Sequence, residues 1–236
     1  MNEKQISFVE HLEELRHRLL VSAAAWLVTS GVAFYFKDQI LALLVEPIAL
    51  TGKKLVFLTP AEAFMNMVII SVIVGFFAAL PVILYQVLLF VLPGLTSRER
   101  RGVLLLLPFA LALFVIGVLF AHQAILPTGL RFLLGYETPN LQAMISISRY
   151  VSFVLTLMGA CGLIFEMPLV VLTLATMKII SSRFLARKRK YAVLVILITA
   201  GIATPSPDIF SQLLLAVPMY ILYEISILLA RVIARN

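Results

Sequence analysis

Long apolar runs separated by short charged stretches dominate the chain. Four of them, Leu19 to Phe36, Ala63 to Pro93, Gly102 to Ile125 and Tyr150 to Met177, contain no charged residue except Glu166 in the last. Each reaches the roughly 17–25 apolar residues with which a helix crosses a hydrocarbon core about 30 Å thick. Two shorter runs follow, Tyr191 to Thr204 and Ile209 to Ala230, around the turn Pro205-Ser206-Pro207-Asp208. Fourteen residues at about 1.5 Å each reach only about 21 Å, so this last hairpin calls for a locally thinned bilayer or a re-entrant path. The pattern predicts an all-α, polytopic membrane protein: a single integral membrane domain over 1–236, with spans at 19–36, 63–93, 102–125, 150–177, 191–204 and 209–230. The fifth and sixth of these six transmembrane helices are expected to be short.

Prolines punctuate the runs at Pro81, Pro93, Pro108, Pro168 and Pro218. An interior proline removes a backbone hydrogen bond and bends its helix, so a kink near Pro81 and a curved, concave bundle are expected. Between spans, 37–62 carries Ile40, Leu41, Leu44 and Val45 at helical spacing, which predicts a short amphipathic helix on the outer surface ending near Pro47. A similar outer cap is expected over 126–149, where Pro127, Gly135 and Pro139 interrupt apolar stretches. At the N-terminus, Phe8, Leu12, Leu15 and Leu19 form one apolar face, and Glu10, Glu13, Glu14, Arg16, His17 and Arg18 occupy the rest. This reads as a cytoplasmic amphipathic helix over 1–18. Glu14 and Arg18 are four apart, as are Glu13 and His17, and such pairs contribute only tenths of a kcal/mol (about 0.2–0.5). Three glutamates facing an anionic leaflet are nonetheless repelled by it, and an acidic patch there suits a basic partner.

Composition agrees with the pattern: 62% of residues are hydrophobic and 13% charged, against about 25% charged in soluble domains. Of the 19 Lys and Arg residues, 14 fall in the N-terminus, the 94–101 and 178–190 loops and the C-terminus. Positive loops stay cytoplasmic, which places both termini in the cytoplasm and makes the first run an uncleaved helix. Basic cytoplasmic loops account for the net charge of +7, so no nucleic-acid partner is required. The lone Cys161 excludes an internal disulfide and a thiolate cluster, and His11, His17 and His122 are too scattered for a zinc site. No cofactor is implied. No nucleophile sits beside a base, which argues against an intramembrane enzyme. The absence of a convincing internal repeat disfavours transporters built from related halves.

Glu166 stands out within the spans, with sixteen uncharged residues before it and eleven after it. A carboxylate in hydrocarbon costs several kcal/mol, of order 2–4, unless it is neutral, paired or facing water. It serves either as interhelical glue or as a functional group of a solute transporter or proton channel. The second reading needs several polar groups along a path, and the spans hold mainly Gln86, Glu166, Gln212 and Glu224. Glu166 is therefore expected on the concave face, neutral or hydrogen-bonded to Gln212. Glu99, inside Ser97-Arg98-Glu99-Arg100-Arg101, reads as a local ion pair. If the N-terminal helix lies beside that loop, Glu14 and Glu99 face one site, and two carboxylates recognise paired guanidinium groups better than paired ammonium groups.

Several segments taken together resemble one family. They are His11-Leu12-Glu13-Glu14-Leu15-Arg16-His17-Arg18-Leu19, Pro81-Val82-Ile83-Leu84-Tyr85-Gln86, Arg98-Glu99-Arg100-Arg101, Phe165-Glu166-Met167-Pro168, and Thr204-Pro205-Ser206-Pro207-Asp208 through Phe210-Ser211-Gln212. In this order, over nearly the whole chain, they resemble TatC, the multi-spanning receptor of the twin-arginine protein translocase. Ser206 departs from the adjacent prolines expected in the last segment. The resemblance implies six spans with cytoplasmic termini in a bacterial or archaeal cytoplasmic membrane. It implies binding of signal peptides with paired arginines, carried by folded cargo, through Glu14 and Glu99, with Arg16 and Phe90 in the same region. It also implies docking of TatA- and TatB-type single-span partners and of other copies of the chain, and transport driven by the proton-motive force. Pro47 matches a family position linked to function.

Overall fold

A computed structural model of the chain describes residues 8–91, 97–138, 142–177, 179–204 and 208–233. The side chains described are those of 12–90, 106–138, 142–177, 179–204 and 208–232. The turn at 205–207 lies outside the described residues. Five stretches are helical, long and apolar enough to cross a membrane: Leu12–Tyr35, Pro60–Phe90, Leu106–Leu134, Ile147–Thr176 and Ile209–Val232. The protein is a multi-pass, predominantly helical membrane protein. Its chain divides into two compact units, Met1–Ile40 with Met67–Leu111, and Leu41–Asn66 with Ala112–Asn236.

In the first unit, α1 (Phe8–Tyr35) carries the amphipathic stretch and the first span as one helix. No Gly or Pro occurs between Phe8 and Ser30 to separate them. It pairs with α3 (Pro60–Val91), which passes through Pro81 as one helix of 32 residues. Trp26 Nε1 donates to the Val72 carbonyl at 2.8 Å, and the Thr29 hydroxyl lies 2.7 Å from the Gly75 carbonyl. Glycine is required there, because a Cβ on Gly75 would stand 2.5 Å from Ser30 Cα. The close approach turns side-chain donors on one helix toward carbonyls of the other, as small residues allow between membrane helices. The start of α4 (Ser97–Phe120) completes the unit.

In the second unit, α2 (Lys37–Ala49) continues two residues beyond Pro47 and buries Leu44 and Ile48. β1 (Leu55–Val56) then pairs in parallel with β2 (Ile145–Ser146), joining Leu55 to Ile145 and Val56 to Ser146. Glu62, in the first turn of α3, locks this junction. Its carboxylate accepts from the Leu58 N–H at 2.6 Å, the Ser146 hydroxyl at 2.6 Å and the Ser148 N–H at 3.2 Å. Beside it, Asn66 Nδ2 donates to Ser148 Oγ at 2.8 Å, and Lys53 Nζ pairs with Glu137 Oε2 at 2.6 Å.

The helix of the third span does not stop at Ile125. It passes from α4 through a π-helical turn, Ala121–Ile125, into α5 (Leu126–Leu134). Pro127 sits at the start of α5, where its missing N–H is tolerated. The 126–149 segment therefore begins as helix rather than as a separate cap. The next span is broken: α6 (Ile147–Phe165) yields at Glu166 to α7 (Met167–Thr176), and Pro168 near the start of α7 accounts for the interruption.

α8 (Ser182–Arg187) is capped by Ser181 Oγ, which accepts from the Phe184 N–H at 3.1 Å. α9 (Arg189–Ala203) has 15 residues, reaching about 22 Å at about 1.5 Å each. α10 (Ile209–Ile233) has 25, so the brevity expected of both final helices is confined to α9. α10 packs along α7, with Val171, Ala175 and Ala230 at the buried centre.

Gly75→Ala should lower the thermal unfolding midpoint in detergent by the equivalent of about 1–3 kcal/mol, the usual cost of overpacking. Gly31→Ala, where an added Cβ meets nothing within 4 Å, should leave the midpoint unchanged. The Lys53 ammonium, and secondarily the Ala143 N–H, hold the Glu137 carboxyl below the usual carboxylate range. Its stabilising effect is therefore present above the ordinary carboxylate pKa and lost as pH falls through the depressed value. Hydrogen exchange over 142–146 should accelerate in that acid window, and Lys53→Gln should move the acceleration to higher pH.

Candidate functional site

The candidates read from the sequence as a binding surface fall in the first unit, which contains Glu14, Arg16, Gln86, Phe90 and the backbone of Glu99. α1 presents a half-buried Glu14 and an exposed Arg16. Glu14 Oε1 accepts from Arg18 Nη2 at 3.0 Å, one turn away, and Arg18 Nη1 donates to Gln86 Oε1 on α3 at 3.1 Å. The i,i+4 pair read from the sequence thus exists, but it also reaches a second helix. Arg18 is the bridge that holds the Glu14 carboxylate toward α3. Its Nε is buried without a partner among the described residues.

Phe90 is half-buried and lies four residues beyond Gln86, on the same face of α3. Glu99 is the third residue of α4. Its side chain lies outside those described, and so does any meeting of Glu99 with Glu14. What the arrangement offers chemically is a carboxylate fixed by one guanidinium, its second oxygen without a hydrogen bond among the described residues, on a helix whose neighbouring Glu13, Arg16 and His17 are exposed. A carboxylate oxygen of this kind accepts hydrogen bonds from a further guanidinium.

The intramembrane candidates belong to the second unit. Glu166 occupies the turn between α6 and α7, half-buried, and Oε1 is buried without a hydrogen-bond partner among the described residues. The Phe114 backbone lies against its carboxyl. Two glycines bring α4 and α6 together beside it. A Cβ on Gly117 would stand 2.6 Å from the Cys161 carbonyl oxygen, and one on Gly162 would stand 2.5 Å from the Phe114 ring.

Gln212 is not the partner of Glu166. Its Nε2 donates to the Leu197 carbonyl on α9 at 2.8 Å and lies against Gly201. The expected Glu166–Gln212 hydrogen bond is corrected: the α9–α10 hairpin supplies an acceptor nearer to Gln212. Glu224 is engaged as well, accepting from Arg189 Nε and Nη2 at 2.7 and 2.8 Å and from the Tyr220 hydroxyl at 3.1 Å. No cluster of three or more His, Cys, Asp or Glu side chains able to hold a metal occurs among the described residues.

Glu62 is the structural anchor missed from the sequence. Thr59-Pro60-Ala61-Glu62 carries its signal, a Thr and Glu three apart around a proline at the first helical position, so that the carboxylate turns back on the helix start. Arg18 and Gln86 gave no comparable signal, being 68 residues apart.

The family model for the Sec-independent protein translocase protein TatC matches residues 10–218. The chain belongs to the TatC family. Among curated relatives, the TatC protein of Carboxydothermus hydrogenoformans is 42% identical over 99% of this chain and 96% of its own length. That of Aquifex aeolicus is 42% identical over 96% of this chain and 95% of its own. A crystal structure described as the twin arginine translocase receptor TatC superposes with a TM-score of 0.83 at 40% identity, covering 96% of this chain and all of that one. Glu14, Arg16, Phe90, Glu99, Glu166 and Gln212 all fall inside the stretch matched to the TatC model.

Because Glu166 Oε1 has no donor among the described residues, Glu166→Met should stabilise the detergent-solubilised protein by about 1 kcal/mol, the low end of an unsatisfied buried polar group's cost. Thermal unfolding reads this directly. A lower midpoint would mean that the carboxyl is held by a donor after all, the Phe114 backbone lying against it.

Proposed function

We propose that this chain is the receptor subunit of a twin-arginine protein translocase, binding paired-arginine signal peptides at its cytoplasmic face. The observation that carries the proposal is the near full-length match to TatC relatives and to a solved twin arginine translocase receptor. The bridge Glu14–Arg18–Gln86 gives it a physical basis, since it fixes a carboxylate beside the exposed Glu13, Arg16 and His17. In this proposal Glu14 and Glu99 each accept one arginine of the signal. Phe90 packs beside the peptide, and Arg16 repels misplaced cations at the exposed edge.

The same reading takes the bacterial or archaeal cytoplasmic membrane as the location, with both termini cytoplasmic. It is supported by the concentration of 14 of 19 basic residues in alternate loops. α9 serves as the short fifth of six spans. TatA- and TatB-type single-span proteins and further copies of the chain are its partners, with Glu166 and Gln212 as polar contacts for a partner helix and the proton-motive force as the energy source. A solute or proton path through Glu166 has less support. Gln86, Glu224 and Gln212 are already committed to Arg18, Arg189 and the Leu197 carbonyl.

Charge reversal tests the proposal: Glu14→Lys and Glu99→Lys should each abolish crosslinking to a twin-arginine peptide while insertion into vesicles continues. Undiminished crosslinking in both variants overturns it. Glu166→Ala should keep peptide crosslinking near the unmodified level and impair export of folded cargo. Loss of crosslinking in that variant would instead place Glu166 in recognition.

A further inference from the structure

At the junction of α5, β2 and α6, a cavity of about 350 Å³ opens beside Leu130, Leu133, Leu134, Ile145, Arg149 and Phe153. That volume is within the roughly 300–1,000 Å³ typical of small-molecule sites. Its place along the chain is distinctive. Leu134 ends one membrane-length helix and Ile147 begins the next, so a bilayer crossed by both helices brings its headgroups to this end of them, where the cavity lies.

One wall is held rigidly. Tyr150, 2% exposed, directs its hydroxyl away to the Leu44 carbonyl at 2.8 Å, and Ile145 is fixed by its pairing with Leu55. Arg149 is the single charged residue among those lining the cavity. It is exposed and makes no hydrogen bond or ion pair among the described residues. The nearby acids are otherwise engaged, Glu137 with Lys53 and Glu62 with Ser146 and Ser148. An unpaired guanidinium over an apolar hollow at headgroup depth is complementary to one chemistry, a phosphodiester attached to acyl chains.

We propose that this cavity is a specific phospholipid site, seating an acyl chain against Leu130, Leu133 and Phe153 and the headgroup phosphate on Arg149. Guanidinium binds phosphate through two parallel N–H donors, and lipid in such a seat exchanges more slowly than lipid around it.

Native mass spectrometry of the protein extracted from vesicles of phosphatidylcholine and phosphatidylglycerol tests the proposal. The unmodified chain should retain one phospholipid at activation energies that strip the rest. Arg149→Gln, a substitution at an exposed position, should release it roughly tenfold more readily, the loss expected for one charge-assisted contact. Ala143→Trp, which fills the hollow, should abolish retention with Arg149 intact. Diacylglycerol added to the same vesicles, which has the chains without the phosphate, should not itself be retained. Equal retention by the unmodified chain and Arg149→Gln, or of diacylglycerol, overturns the phosphate assignment. A dimer lost in Ala143→Trp, with lipid retention unchanged, would assign the hollow to a second copy of the chain and overturn the proposal.

Discussion

A polar group inside a bilayer has no water to fall back on, and this constraint organises the whole molecule. α1 is tied to α3 where Trp26 and Thr29 reach the carbonyls of Val72 and Gly75. Gln212 reaches the Leu197 carbonyl from α10 to α9, and Tyr223 donates to the Leu185 carbonyl at 2.8 Å. Main-chain oxygens are acceptors with capacity to spare, since each has two lone pairs and the helix uses one. Side chains that exploit them join helices without placing a second buried polar side chain opposite. Charged pairs are kept for the ends: Glu14 with Arg18 at one end of α1, Arg189 with Glu224 where α9 begins.

Periodicity and run length made the helices legible because hydrocarbon leaves the backbone few alternatives. The amphipathic stretch around Leu12 and Leu15 was visible in this way, whereas the run 150–177 read as one span and Pro168 marked only a bend in it. The π-helical turn at Ala121–Ile125 was not, since Pro127 reads equally as the end of a helix and as the first turn of the next. Contacts between distant residues were also illegible. Gln86 looked like an isolated polar group in a span, yet its role is to receive Arg18. Gln212 and Glu166 looked like natural partners because few polar residues compete, whereas a main-chain carbonyl, which composition never reveals, was closer.

Glu166 and Glu14 illustrate two uses of a carboxylate. Glu14 has its partner on its own helix and is anchored to a second through it, so its geometry is set before any ligand arrives. Glu166 sits where Pro168 has already interrupted the helix and where Gly117 and Gly162 remove bulk from the neighbouring helices. The first is held in place by an intramolecular guanidinium. The second is a polar point surrounded by close-packed backbone, which suits contact with another helix better than conduction.

The Glu62 junction bears on the order in which the chain is made. Its carboxylate gathers donors from Leu58, four residues before it, and from Ser146 and Ser148, which lie 84 and 86 residues later. A chain synthesised at about 5–20 residues per second leaves several seconds between the emergence of Glu62 and that of its distant donors. During that interval two further helices are inserted while the β1 strand has no partner to pair with. The junction is thus a closing step of biogenesis, and a nascent chain halted before Ser146 holds its first three long helices without the seam that joins Leu55 to Ile145.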